Sequence, residues 1–145
     1  MWFGCLSLMA TEPQDLKGLS HLGNTQNKPQ QTLETFPNRN LGRHYVVELS
    51  TSEFTCLCPA TGQPDFAKIS IQYIPGPRIV ESKSLKLYFW SYRQQGVFHE
   101  HLTNKILDDL VAALDPVWCQ VTGAFEVRGG IAITVRAEHG KKPQA

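Results

Sequence analysis

The sequence has no hydrophobic run long enough to cross a membrane and almost no excess of charge of either sign. Its apolar opening, MWFGCLSLMA, is shorter than a membrane span and lacks the basic start of a signal peptide. With 14 Lys and Arg against 13 Asp and Glu, the formal net charge is +1, so charge gives no reason to expect nucleic acid or an anionic membrane as a partner. We therefore expect a cytoplasmic protein with no direct nucleic-acid or membrane partner.

Cysteine is scarce, and a dinucleotide fingerprint is missing. The four cysteines, Cys5, Cys56, Cys58 and Cys119, are too few for a disulfide scaffold, and a bridge from Cys56 to Cys58 would close a very small, strained ring. Disulfide bonding is therefore the weakest interpretation of these thiols. No Gly-rich dinucleotide-binding motif occurs, so any nucleotide cofactor must bind by another arrangement.

The length of 145 residues suits one domain with tails. Residues 11–40 are rich in Gln, Asn, Pro and Thr and show no lasting helical or strand period, which is typical of a loose segment. We predict a flexible N-terminal arm over residues 1–40, a folded domain over residues 41–138 and a C-terminal tail over residues 139–145.

Hydrophobic periodicity within that domain predicts four strands and two helices. The strands are marked by Tyr45, Val47 and Leu49, by Ile69, Ile71 and Tyr73, by Val117, Cys119, Val121, Phe125 and Val127, and by Ile131, Ile133 and Val135. The helices are marked by Leu85, Tyr88, Phe89 and Tyr92, and by Leu102, Ile106, Leu110, Val111 and Leu114.

The element order β-β-α-α-β-β predicts an α+β fold. It is an antiparallel four-stranded sheet with two helices on one face, since each amphipathic element must bury its apolar side. Gly129 and Gly130 suit the unusual backbone angles of the last hairpin turn. Such a sheet leaves its edges open, and open edges are usually paired or protected. We therefore expect a homo-oligomer joined through sheet edges.

The segment FTCLCPATGQPDF, residues 54–66, is the strongest candidate for chemistry. A loop stiffened by two prolines can hold the thiolate of Cys58 at a cleft, and Asp65 could fold back to transfer a proton. The ordinary interpretation is that Cys56 and Cys58 fill the core and Asp65 forms a turn. A zinc site is a further alternative, although Cys-x-Cys is an unusual ligand spacing. Its possible ligands are Cys56, Cys58, Cys119, His99 and His101.

The segment VESKSLK, residues 80–86, is a candidate anion site at a predicted helix start. Exposed backbone amides and lysines there both attract phosphate. Four residues could contact the phosphates of a cofactor: Ser82, Lys83, Ser84 and Lys86. The ordinary interpretation is a solvated helix face with Glu81 favourably placed at its N-terminus. His99 and Glu100, in FHEH, begin the second helix, where capping and helix-dipole effects are an ordinary explanation.

Taken together, the ordered motifs EFTCLCPATGQPDF, VESKSLKLYFWSYR, FHEH and RGG resemble the NADPH-dependent 7-cyano-7-deazaguanine reductases in their short single-module form. These are the nitrile reductases of queuosine biosynthesis, a tRNA modification. The resemblance, which runs from about Phe36 to Val135, implies the tunnelling fold, whose subunits assemble through sheet edges into rings such as stacked pentamers. It also implies that the catalytic domain uses NADPH as co-substrate to reduce the nitrile to the primary amine 7-aminomethyl-7-deazaguanine.

By the same resemblance, Cys58 is the nucleophile that forms a covalent thioimide, Asp65 is the proton donor, and His99 assists proton transfer. The implied substrate contacts are Val80, Glu81, Ser82, His99 and Glu100, and the implied cofactor contacts are Ser82, Lys83, Ser84 and Lys86. No metal ligand is implied. Cys56 departs from the family pattern, which often has a small hydroxyl residue there, and we interpret it as a silent substitution rather than half of a redox pair.

Two other functions stay open at this point. One is a zinc-dependent cyclohydrolase or pterin-type enzyme on the same fold, which requires a tightly bound metal. The other is a non-catalytic, ring-forming protein that binds purines, in which Cys58 would be dispensable. A pure binding pocket needs no nucleophile paired with a proton donor, which argues against the second. The residues that occur together here are Cys58, Asp65, His99 and Glu100.

Overall fold

Six strands and two helices form the described part of the computed structural model, residues 28–144. In chain order they are β1 (Thr35–Pro37), β2 (Val47–Leu57), β3 (Pro64–Ile74), β4 (Arg78–Val80), α1 (Ser82–Trp90), α2 (His99–Leu114), β5 (Trp118–Arg128) and β6 (Ile131–Gly140). Strands β2, β3, β5 and β6 form one antiparallel sheet in that spatial order. The predicted α+β fold is confirmed. No helix within residues 28–144 is long and apolar enough to cross a membrane.

The helices cover one face of this sheet because their apolar stripes and the inward residues of the strands form a single core. On β3 the predicted inward residues, Ile69, Ile71 and Tyr73, are at most 1% exposed. The two helices are also linked by a partly buried polar contact, in which the Tyr88 hydroxyl of α1 donates to Asp109 Oδ2 of α2 at 2.6 Å. The apolar residues predicted to face inward on β3 and on the two helices therefore pack in one core.

A register shift in β2 changes which residues face the helices. Thr51 pairs with Ile69, but Phe54 pairs with Ala67, so β2 accommodates one extra residue between these pairs. Before the shift the odd-numbered residues of β2 face the core. Because side chains alternate along a strand, the shift turns the even-numbered Phe54 and Cys56 inward.

A second register shift lies near the end of β5. The pairing of β5 with β6 changes by one residue between Phe125 and Arg128. The predicted inward alternation is therefore wrong for Val127, which is 63% exposed. The hairpin turn that follows consists of Gly129 and Gly130, at φ 58° and 78°, so the predicted glycine turn is confirmed.

A short second sheet joins β1 to β4, with Thr35 opposite Val80. The predicted flexible arm is wrong for β1, because the backbone of this segment pairs with the strand that leads into α1. Residues 1–27 of that arm lie outside the described residues. At the other end, β6 continues through His139 and Gly140, which the prediction placed in the tail.

Gly123 on β5 allows α2 to approach the sheet closely. A Cβ atom at this position would lie 2.8 Å from Thr103 Oγ1 and 2.9 Å from the Phe125 ring. The Thr103 hydroxyl in turn donates to the His99 carbonyl at 2.9 Å, in the first turn of α2. The absence of a side chain on β5 thus helps to set the position of the α2 N-terminus over the sheet.

We expect Gly123→Ala to destabilise the protein by about 1–3 kcal/mol, because the added methyl group overlaps side chains in a packed core. The matched control is Gly42→Ala, where an added Cβ meets no atom within 4 Å. Urea unfolding followed by circular dichroism measures both free energies of unfolding. Equal stability of the two variants would show that the packing of α2 does not depend on this close approach.

Candidate active site

Cys58 lies directly after β2, in a tight loop of residues 58–63 that leads into β3. Its amide donates to the Gln63 carbonyl at 2.8 Å, and its carbonyl accepts from the Gly62 amide at 2.9 Å. Gly62 has φ 70°, a left-handed conformation that favours glycine. These backbone hydrogen bonds fix the position from which the Cys58 side chain projects.

The connection between α1 and α2 packs beside this loop. The Leu57 amide donates to the Gln95 carbonyl at 2.9 Å, and the Val97 amide donates to the Leu57 carbonyl at 3.1 Å. Gly96 permits the close approach, since a Cβ atom there would lie 3.1 Å from the Cα of Pro59. These contacts bring the start of α2 to the cysteine loop.

Cys58 is half-buried, and hydrogen bonds lower its pKa from 9.0 to about 7. The largest cause is the Thr61 hydroxyl, followed by the backbone amides of Thr61 and Ala60, and Arg128 adds a further hydrogen bond. A thiol with this pKa is substantially ionised at neutral pH, and the thiolate is the nucleophilic form. The structure therefore gives this cysteine the environment that the predicted nucleophile needs.

The other two described cysteines have the opposite environment. Cys56 and Cys119 are 0% exposed, and burial raises their pKa to about 11 and about 12. The ordinary interpretation of a small core residue is confirmed for Cys56 and is wrong for Cys58. Cys5 lies outside the described residues.

Asp65, on β3, is 8% exposed, and its two carboxylate oxygens have different partners. Oδ2 lies 3.2 Å from Nε2 of His99, and Oδ1 contacts Nη2 of Arg128. Arg128 also donates to the Pro64 carbonyl at 3.4 Å. The structure thus brings Asp65 and His99 into contact and links Cys58 to Asp65 through Arg128.

His99 is the first residue of α2, and its ring stacks on Phe125 of β5. The two ring centroids are 3.7 Å apart and the planes differ by 7°. Phe98, which precedes the helix, makes no side-chain capping bond, so capping does not account for this pair of residues. The following residue, Glu100, is exposed in the first turn, where an acidic side chain is favourable.

The predicted substrate residues at positions 80–82 lie at the junction of β4 and α1. The Glu81 carboxylate caps α1, accepting from the amides of Lys83 and Ser84 at 2.8 Å each, and these bonds lower its pKa. The ordinary interpretation of Glu81 at a helix N-terminus is confirmed. The expectation of free amides for phosphate is wrong for these two amides, which the carboxylate already occupies. Among residues 28–144, no hydrogen bond or ion pair joins this side chain to Asp65 or His99.

The predicted cofactor residues divide between two clefts beside α1. Ser82 and Lys86 line a cleft of about 470 Å³ between α1 and β2, whereas Lys83 and Ser84 line one of about 370 Å³. Ser84 is only 2% exposed, and its hydroxyl accepts from the Glu34 amide at 2.9 Å while donating to the N-cap carbonyl of α1 at 2.9 Å. Its hydroxyl therefore ties the segment before β1 to the helix.

The five candidate zinc ligands do not form a metal site. In the part of the chain that the structure describes, no group of three or more His, Cys, Asp or Glu side chains is arranged to hold a metal ion. Cys56 and Cys119 are buried in the core, and the His101 ring packs edge-on against Phe98. The zinc alternative gains no support from this geometry.

Fold and site define a class: an α+β protein with a cysteine of lowered pKa in the loop before β3, and on β3 a buried acid that contacts a histidine. The chain matches the family model described as QueF-like protein over residues 64–144. It is 62% identical over 134 residues to the NADPH-dependent 7-cyano-7-deazaguanine reductase of Syntrophus aciditrophicus (strain SB), covering 92% of this chain and 94% of that one. It is 56% identical over 116 residues to the protein of the same name from Anaeromyxobacter sp. (strain K), covering 80% and 95%.

Among solved structures, the chain is similar to the apo form of the archaeosine synthase QueF-Like. The TM-score is 0.62 at 30% sequence identity, and the match covers 68% of this chain and 96% of that chain. The chain belongs to the QueF-like protein family.

Arg128 is the site residue that sequence reasoning missed. The RGG motif contributed to the family resemblance and its glycines to the predicted turn, but its arginine carried no predicted role. The contact of Arg128 with Asp65 depends on how the end of β5 is turned after the register shift. The alternation pattern of a single strand does not reveal such a shift, so the sequence offers no direct signal for this contact.

We expect Thr61→Val to raise the pKa of the Cys58 thiol from about 7 towards 9.0, because the hydroxyl is the largest cause of its lowering. The rate of alkylation by iodoacetamide should fall at neutral pH, roughly tenfold per unit of pKa, and recover at high pH. Tandem mass spectrometry separates Cys58 from Cys56 in the digested product.

The matched control for this experiment is Thr61→Ser, which keeps the hydroxyl and should retain the pH profile of the unmodified protein. Identical profiles for the valine and serine variants would contradict the assigned cause.

Proposed function

We propose that the chain reduces the nitrile of 7-cyano-7-deazaguanine to the primary amine of 7-aminomethyl-7-deazaguanine, with NADPH as co-substrate. The observation that carries this proposal is Cys58, a half-buried thiol with a pKa of about 7, in a site where Asp65 contacts His99. The two reductases that align with most of the chain support the same activity.

Cys58 is the proposed nucleophile. A nitrile is electrophilic at carbon, and a soft thiolate is a suitable nucleophile for it. The Cys58 sulfur forms a new bond to that carbon, one π bond of the nitrile breaks, and its electron pair moves to nitrogen. The nitrogen then takes up a proton, which leaves a thioimide attached to the protein. This addition needs no oxidant or reductant.

Asp65 and His99 form the proposed proton path. The 3.2 Å separation of Asp65 Oδ2 and His99 Nε2 is a hydrogen-bond distance, so a proton can pass between them. Stacking on Phe125 holds the imidazole in this orientation. We assign Asp65 as the proton donor to the nitrile nitrogen and His99 as the group that assists the transfer.

Exposed residues at the start of α1 are suited to bind NADPH. When bound, NADPH would supply one hydride to each of the two reductions. Between them the bond from carbon to the Cys58 sulfur breaks, and the thiolate is the leaving group. Ser82, Lys83 and Lys86 are exposed and carry the hydroxyl and ammonium groups that bind phosphate well. Ser84 fits this role less well, because its hydroxyl is already bonded to backbone groups.

Two carboxylates suit the guanine-like edge of the substrate, whose adjacent N–H groups can donate to them. Glu100 is exposed beside His99. Glu81 retains acceptor capacity beyond its two capping bonds, since a carboxylate has about four acceptor positions. Val80 is 5% exposed, so only its backbone is suited to contact a ligand.

We further propose a cytoplasmic homo-oligomeric ring with a small-molecule substrate and no nucleic-acid or membrane partner. In the main sheet β2 and β6 are the edge strands. Ile131 on β6 is 65% exposed, and Ile133 and Val135 are only half-buried, so pairing with a second copy would cover apolar surface. Within one protomer, no hydrogen bond or ion pair among the described residues joins Glu81 to Asp65 or His99. In a ring, a neighbouring copy would bring its own Glu81 to the site around Cys58.

Turnover of purified variants tests the proposed roles. Cys58→Ala should abolish substrate-dependent oxidation of NADPH, because no nucleophile remains. Asp65→Asn should slow it by about 10²–10⁴-fold, the usual contribution of a general acid. The absorbance of NADPH and mass analysis of the amine product measure both rates.

The matched control is Cys119→Ala, which removes a buried thiol outside the site and should leave the rate close to that of the unmodified protein. Full activity of Cys58→Ala would refute the proposed mechanism. Loss of activity on treatment of the unmodified protein with a chelator would instead favour the metal-dependent alternative.

A further inference from the structure

Arg128 occupies a central place in the site without a role in the reaction as proposed above. Its guanidinium contacts Oδ1 of Asp65 and donates to the Pro64 carbonyl at 3.4 Å. It also lies close enough to Cys58 to lower the pKa of that thiol. One side chain from β5 thus reaches the nucleophile at the end of β2 and the acid at the start of β3.

The two carboxylate oxygens of Asp65 have different partners. Oδ1 faces a guanidinium, which stays protonated in proteins and cannot serve as a proton source. Oδ2 lies 3.2 Å from Nε2 of His99, and histidine is the side chain that most often transfers protons in enzymes. A proton that moves to the substrate must therefore travel on the Oδ2 side.

We propose that Arg128 is a positioning residue for the addition step: it holds the Cys58 sulfur and Asp65 Oδ1 in one arrangement before substrate binds, and so directs proton transfer to the Oδ2 side. This inference rests on the proposed role of Cys58 as the nucleophile. The side chain of Arg128 is 43% exposed, so it can be replaced without opening a cavity in the core.

The arrangement also explains how the thiolate and a nearby carboxylate coexist. The groups around Cys58 are Cys56 on β2, Asp65 on β3, Arg128 on β5 and, through its contact with Asp65, His99 on α2. The charge of Asp65 raises the pKa of the adjacent Cys56 thiol, and the charge of Arg128 lowers it. At Cys58 itself, Arg128 contributes to the lowered pKa. Removing the guanidinium should therefore leave two like charges without a shared counter-charge.

The test measures the addition step without NADPH, so that cofactor binding cannot influence the result. Intact-protein mass spectrometry follows the rate of adduct formation with 7-cyano-7-deazaguanine, and alkylation by iodoacetamide gives the pH profile of Cys58. In Arg128→Gln we expect both rates at neutral pH to fall by about threefold to tenfold, with the alkylation midpoint moved to higher pH. Arg128→Lys, which keeps the charge, should restore part of the loss.

Arg136→Gln is the matched control, because it makes the same substitution at an exposed arginine on β6 and should leave both rates unchanged. Circular dichroism and thermal unfolding of each variant verify the fold. If Arg128→Gln matches the unmodified protein in both assays, or loses only NADPH-dependent turnover, the positioning role is refuted. If the unmodified protein forms no adduct but Arg128→Gln still shifts the alkylation profile, the nitrile addition fails while the influence of Arg128 on Cys58 stands.

Discussion

The near-complete burial of the Asp65 carboxylate is the constraint on which this site depends. A buried carboxylate is costly unless it is hydrogen-bonded or paired, so the fold must supply groups that bond to it. His99 from α2 and Arg128 from β5 do so, one on each oxygen. Stacking on Phe125 positions His99, and Arg128 lies at the register shift of β5. Cys58 shares this arrangement because Arg128 also lowers the pKa of its thiol.

Most of the fold follows from periodicity, and what does not follow depends on pairing between distant segments. In the four strands of the main sheet and in both helices, apolar residues recur at strand or helix spacing because each element must bury one side. Strands β1 and β4 have three residues each, too few to show a period, and they exist because they pair with one another. The register shifts are likewise properties of paired strands, so the inward turn of Cys56 and the exposure of Val127 could not be read from one strand alone.

The site was predictable to the extent that a motif carried it. The cysteine loop pointed to Cys58 and Asp65, and the structure gives the thiol a lowered pKa and the acid a histidine partner. Glu81 had two interpretations from sequence, an acidic residue at a helix N-terminus and a substrate contact, and the structure shows the first, because the carboxylate caps α1. Arg128 was not predictable as a site residue, because its contacts arise from the geometry of the hairpin end. Sequence thus indicated the reactive groups, and tertiary structure determines what each of them faces.

The most direct test of this account is the intact mass of the protein after incubation with 7-cyano-7-deazaguanine in the absence of NADPH. The account predicts a mass increase equal to that of the substrate, located on Cys58 and absent in Cys58→Ala, because addition of a thiol to a nitrile releases nothing. An unchanged mass on folded, reduced protein would contradict the central claim that Cys58 is the nucleophile.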